Sequence, residues 1–180
     1  MKWRGISFEA QREKPLRRSE RGVAAIEFAL IAAPFFFVLF SILEMGTLLF
    51  FESRVQNAVL DASRLIRTGQ AQAQNMTANQ FRTAICNETA GLAQCEARLS
   101  VFVTNAADFK TLTPLVPALA TVGPLTTTFA PGTAQRAVAV IATYQWTFVS
   151  PLMWVFSNVA GNRAIRRLPG IAVFQNEPFT

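Results

Sequence analysis

The sequence predicts an α+β protein. A long N-terminal helix, membrane-spanning in its first half and an amphipathic stalk in its second, should pack on a small antiparallel sheet. Three observations carry this. Phe28 to Leu43 is an uncharged, strongly apolar run of 16 residues. Beyond it Leu48, Phe51, Val55, Val59, Ala62 and Ile66 recur at three- and four-residue steps, the period of a helix with one buried face. Later, Ala137 to Val149 alternates side chains in the period of a strand, with Val138, Val140, Ala142, Tyr144, Trp146 and Phe148 on one face.

The 180 residues have room for one domain of ordinary size. Hydrophobic residues make up 51% and charged residues 16%, against a usual charged share of about 25%. Mean hydropathy is +0.28. Disorder over most of the length is excluded. The apolar residues are also unevenly spread, which argues against a freely soluble monomer.

The first element is the span. Val23 to Phe51 is 29 residues with two charges, Glu27 and Glu44. At 1.5 Å per residue the uncharged core reaches about 24 Å and the whole stretch about 43 Å, bracketing a hydrocarbon layer of about 30 Å. Eleven of the 16 core residues are Phe, Leu, Ile or Val, each favouring insertion by about 0.3–0.6 kcal/mol. Insertion should win even with Pro34 inside. Segment 23–51 is therefore the expected transmembrane helix.

Charge sets its direction. Residues 1–21 carry Lys2, Arg4, Arg12, Lys14, Arg17, Arg18 and Arg21 against Glu9, Glu13 and Glu20. Just past the span only Arg54 is basic. The positive-inside rule keeps the leader, residues 1–22, cytoplasmic and exports the chain beyond the helix. Most of the net charge of +6 lies in that leader. The exported part has no basic stripe with interleaved aromatics, so nucleic acid is not expected as a partner; membrane lipid is. A removable secretory signal would end in a small-residue cleavage site, and this run has none after it.

The junction carries more information. Arg17-Arg18-Ser19-Glu20-Arg21-Gly22 meets Val23-Ala24-Ala25-Ile26-Glu27-Phe28. A glycine ends the basic leader, and a lone glutamate is the fifth residue after it. A charge inside a membrane helix costs roughly 2.5 kcal/mol or more and is a functional hypothesis by default. The plainer alternative is a glutamate reaching out to the cytoplasmic interface.

The amphipathic stalk should occupy 52–69, with Arg67 in its last turn and Gly69 just past its end. The remainder, 70–180, is the expected exported domain. Thr77-Ala78-Asn79-Gln80 fits a capping box opening a second helix with Phe81 and Ile85 on one face. Cys86 and Cys95 are the only cysteines, with eight residues between them, in a segment predicted to meet oxidising conditions. A disulfide between them is expected; two free core thiols are the alternative. Arg98 to Thr104 reads as a strand. Residues 111–133 hold Pro114, Pro117, Pro124 and Pro131 among threonines and read as a long loop. Leu152 to Val159 reads as a short helix or packed loop, and Ile171 to Gln175 as a last strand.

Catalytic signals are nearly absent. The chain has no histidine, which removes Ser-His and Cys-His pairs and leaves too few ligands for zinc. No phosphate loop, nucleophile elbow or dinucleotide fingerprint is present. The acidic residues of the exported part are few and scattered. An enzyme is not expected, and neither is a cofactor or a metal.

The chain resembles the TadE-like minor pseudopilins of the tight-adherence (Flp, type IVc) pilus system. The resemblance is carried by Arg21-Gly22-Val23-Ala24-Ala25-Ile26-Glu27-Phe28 and by the stalk segment from Asp61-Ala62-Ser63-Arg64 to Gly69-Gln70-Ala71-Gln72. Phe81, Ile85, Cys86, Cys95 and the ending Phe174-Gln175-Asn176-Glu177-Pro178-Phe179 add to it. It implies a pilin-like fold, with a prepilin peptidase cutting between Gly22 and Val23. It further implies assembly through Glu27 and Phe28 with a partner minor pseudopilin, the major pilin and an inner-membrane assembly platform. The location implied is the bacterial inner membrane, single-pass, with the C-terminal domain periplasmic. Two alternatives share parts of this pattern: a pseudopilin of a type II secretion or other type IV pilus system, and a single-pass anchored extracytoplasmic binding module.

Overall fold

The computed structural model describes residues 20–89, 91–116, 127–159, 161–162 and 164–179. The leader expected over 1–22 lies outside them up to residue 19. So does part of the 111–133 segment. The chain divides into two compact units, Met1–Phe37 and Val38–Thr180, and helix α1, Glu20–Arg67, runs through both. It covers the expected span and stalk in one element. Pro34 lies inside it and removes one backbone hydrogen bond, which would be owed to the carbonyl of Leu30.

The stalk half follows its periodicity. Leu48, Val55, Val59, Ala62 and Ile66 are buried, and Phe51 packs at the margin of the same core. The helix ends at Gly69, whose positive φ of 79° suits glycine. After a short turn of helix α2, Gln70–Ala73, the expected capping box opens α3, Ala78–Glu88. Thr77 Oγ1 accepts from the Gln80 amide at 3.3 Å, and the Thr77 amide donates to Gln80 Oε1 at 2.8 Å. Phe81 and Ile85 are buried from this helix. Cys86, near its end, is bonded to Cys95, which begins α4, Cys95–Arg98.

The sheet has four strands in the order β2-β1-β3-β4. β1 is Leu99–Ala106, β3 Ala137–Thr147 and β4 Ile165–Gln175; β3 pairs antiparallel with both neighbours. The sheet is mixed rather than purely antiparallel, because β2, Thr128–Phe129, lies parallel to β1. Parallel pairing needs a crossover. The crossover begins with α5, Phe109–Leu112, whose last two residues fall in the segment read as one long loop, and continues in a single 3-10 turn, Thr113–Leu115. Leu112 then covers Ala106, Ala137 and Ala139 on the back of the sheet. Asp108 caps α5, its Oδ1 accepting from the Thr111 amide at 2.7 Å and the Thr111 hydroxyl at 2.8 Å. These bonds, the amide first, hold its carboxyl below the ordinary value of 3.8.

β4 starts six residues earlier than the sequence suggests. Arg166, Arg167 and Pro169 do not look like a strand, yet Pro169 pairs with Thr143. An edge strand tolerates a residue with no N–H to donate.

Sheet and stalk meet closely at Gly170. A Cβ there would lie 2.7 Å from Val59 Cγ2 and 3.0 Å from the Val55 carbonyl oxygen, so only glycine lets β4 approach α1 this far. Next to it Gln56 bridges the two elements. Its Oε1 accepts from the Ile171 amide and its Nε2 donates to the Ile171 carbonyl, both at 2.9 Å. The front face of the sheet, with Val101, Val103, Val140, Tyr144 and Leu168, joins the stalk face and α3 in one core.

The tail closes on the end of α1. The Glu177 amide donates to the Arg67 carbonyl at 2.9 Å, and its carboxylate stands 3.0 Å from Arg67 Nε. The Phe179 ring lies where a side chain on Gly69 would be. Buried Asn176 donates to the Pro131 and Thr133 carbonyls at 3.0 and 2.9 Å. A helix C-terminus leaves its last carbonyls without intrahelical donors, and the tail supplies one of them.

Candidate functional site

Gly22 and Val23 lie within α1, close to where the described residues begin. Val23 and Glu27 are four residues apart on one helix face, with Cβ atoms about 5–6 Å apart in such a pair. Both are exposed, as is Phe28 at 71%. Around them Ile26, Leu30, Ile31, Phe35 and Phe36 are exposed too. Apolar side chains on every side of a helix mark one made for apolar surroundings. This helix is long and apolar enough to cross a membrane, with mean hydropathy 2.4 in its best window.

Glu44, just past the uncharged run of α1, is half-buried. Its two carboxylate oxygens accept from the Val149 and Ser150 amides at 2.6 and 2.9 Å. One turn earlier Ser41 Oγ meets Ser150 Oγ at 2.7 Å. These bonds pin the segment after β3 to α1. The N–H groups they satisfy belong to a backbone that has already left its ladder, and spacing alone could not reveal the partner.

Cys86 and Cys95 lie far along the chain from Gly22 and Glu27 and staple α3 to α4. They act on the α+β domain rather than on the junction. A polar cleft of about 340 Å³ between Asp61, Arg64, Thr68, Gln70 and Glu88 mixes both charge signs without a catalytic pairing. Among the described residues no group of three or more His, Cys, Asp or Glu could hold a metal ion.

Comparison with known families places the decisive likeness on α1. Residues 22–64 match the family model of TadE-like proteins. The match bears out the resemblance read from the sequence. It begins at the junction glycine and runs through the apolar stretch into the stalk. It supports involvement of the chain in a tight-adherence pilus system. No curated protein and no solved structure matches the chain.

Proposed function

We propose that this chain is a minor pseudopilin that takes part in building a tight-adherence pilus at the bacterial inner membrane. A prepilin peptidase removes the leader between Gly22 and Val23. The matured subunit keeps α1 in the membrane and holds its α+β domain in the periplasm. Its role is structural, not catalytic. The observation that carries this reading is the extent of the family match, which starts at Gly22 and follows the helix that would be retained.

Cleavage would create an ammonium group on Val23, four positions before the Glu27 carboxylate. Neither charge is comfortable alone in hydrocarbon, and pairing them removes most of that penalty. The pair can form along one helix or between neighbouring helices, where it fixes their axial register. Phe28 comes next as an apolar contact at the same level. The partners are then a second minor pseudopilin, the major pilin and the assembly platform.

Intact-mass measurement of the membrane-extracted protein tests the reading. The native chain is expected to begin at Val23, and replacement of Gly22 by a large residue should leave the full leader attached. Complete maturation of that variant would refute the processing step. Glu27→Gln should mature normally yet lose crosslinking to pilin subunits; unchanged crosslinking would refute the assembly role.

A further inference from the structure

Resting on the reading that α1 spans a membrane, we propose that the segment from Val149 to Phe156 is a second membrane contact, seated in the outer lipid interface beside the helix.

The segment is a 3-10 helix, Pro151–Phe156, that departs from an ordinary packed loop in one respect. Only Met153 is buried. Val149 is 90% and Val155 78% exposed, and Leu152, Trp154 and Phe156 are exposed beside them. A shallow depression of about 640 Å³ opens among Leu152, Trp154, Val155 and Val159. Large apolar side chains gathered on one face mark a contact site.

The face is fixed, not loose. At one end Glu44 and Ser41 hold Val149 and Ser150. At the other end Ser157 Oγ donates to the Ile165 carbonyl at 2.6 Å, and Arg166 Nη1 donates to the Phe156 carbonyl at 2.9 Å. The exposure is therefore built into the fold.

The place where the segment is tied decides its cover. Ser41 lies inside the uncharged run of α1 and Glu44 just past its end, and Phe40, Ile42 and Leu43 at that level are exposed as well. The segment shares the depth at which α1 leaves hydrocarbon. Its chemistry fits that depth. Trp is favoured at the headgroup level, where an amphipathic ring meets both lipid and water. Arg166 and Arg167 come within the next strand, and basic side chains near a bilayer surface are drawn to anionic headgroups. An apolar face of this kind enters the headgroup–acyl boundary by about 5–10 Å.

The test uses the full chain, alone, in vesicles of phosphatidylcholine and phosphatidylglycerol that include nitroxide-bearing lipid. An environment-sensitive fluorophore is attached at Val155→Cys and, in separate samples, at Leu30→Cys on α1 and Ala107→Cys in the turn after β1. Leu152→Cys, on the same exposed face, repeats the measurement should Val155→Cys fold poorly. The fluorophore at 155 or 152 should be quenched several-fold more strongly than the one at 107, with that at 30 also quenched. Quenching at 30 with none above the 107 level at 155 and 152 overturns the lipid contact and leaves the span intact. No quenching at 30 overturns the span and this proposal with it. Residue 155 unquenched in vesicles, but crosslinked to another subunit in native membranes, assigns the face to protein and likewise overturns the proposal.

Discussion

The two halves of α1 use the same backbone and opposite side-chain logic. From Val23 to Leu43 large apolar residues point in every direction and are exposed; from Leu48 to Ile66 a buried stripe of Leu48, Val55, Val59 and Ile66 appears, with Leu49, Phe50 and Leu60 exposed outside it. A helix surrounded by lipid needs no stripe, because every direction is equally apolar. A helix half in water must choose. The change from one pattern to the other comes after Glu44, where the helix is also tied to the segment after β3.

The sharpest way to break this contrast is to remove equal bulk from each half. Ile66→Ala opens a cavity in a fully buried site and should destabilise the α+β domain by about 2–5 kcal/mol. Ile31→Ala, at a site 71% exposed, should leave that stability unchanged. Denaturant unfolding in detergent, followed by the fluorescence of half-buried Trp146, reads both. Equal losses would mean that the two halves are not differently solvated.

The boundary itself gives the next effect. Glu44→Gln keeps one acceptor oxygen for two amides, so one charge-assisted bond is lost and the other weakened, a cost of about 1.5–3 kcal/mol. Hydrogen exchange should speed up at Val149 and Ser150 while the amides of β3 stay protected. Unchanged exchange would show that Glu44 does not hold the segment.

Farthest from α1's boundary, the smallest effect is expected at Asp108. Its folded-state pKa is lowered, so its contribution is present above the ordinary value of 3.8 and is lost as pH falls through the folded value. Asp108→Asn should flatten that acid dependence slightly below about pH 4 and change little at neutral pH. An unaltered acid profile would remove the cap from the account.

The pattern explains what could be read in advance. The span, the stalk stripe, the Thr77 cap and β3 arise from local periods or local bonds, so the sequence displays them directly. Four features depend on partners outside their own element and have no period. β4 opens with Arg166 and Arg167 because it is an edge strand. β2 is two residues long and exists only because β1 offers an edge. Gly170 shows nothing of its use in the sequence and turns out to be a place of close approach. The run from Leu152 to Val159 reads as a short helix or packed loop; a short 3-10 helix does form, but most of its apolar residues are exposed. An uncharged run containing Trp and followed by Arg163, Arg166 and Arg167 was the available sign of an interfacial segment. At the proposed site Gly22, Val23 and Glu27 stood out by their neighbours in the chain, whereas Glu44 could be understood only once Val149 and Ser150 had been brought to it.

The closure of the tail on α1 has a consequence for the order of synthesis. The stripe from Leu48 to Ile66 emerges early, but the strand that meets Val55, Gln56 and Val59 spans 165–175, and the residues that satisfy Arg67 and cover Gly69 come later still. While the chain is being made, the stalk lacks part of its partner surface, and its apolar face stays incompletely covered until residues 165–179 have been added. Completion of the fold is thus deferred to the end of synthesis. A half-made chain cannot lock prematurely into its final shape, and the unfinished stalk is the stretch that a holding factor would need to shield.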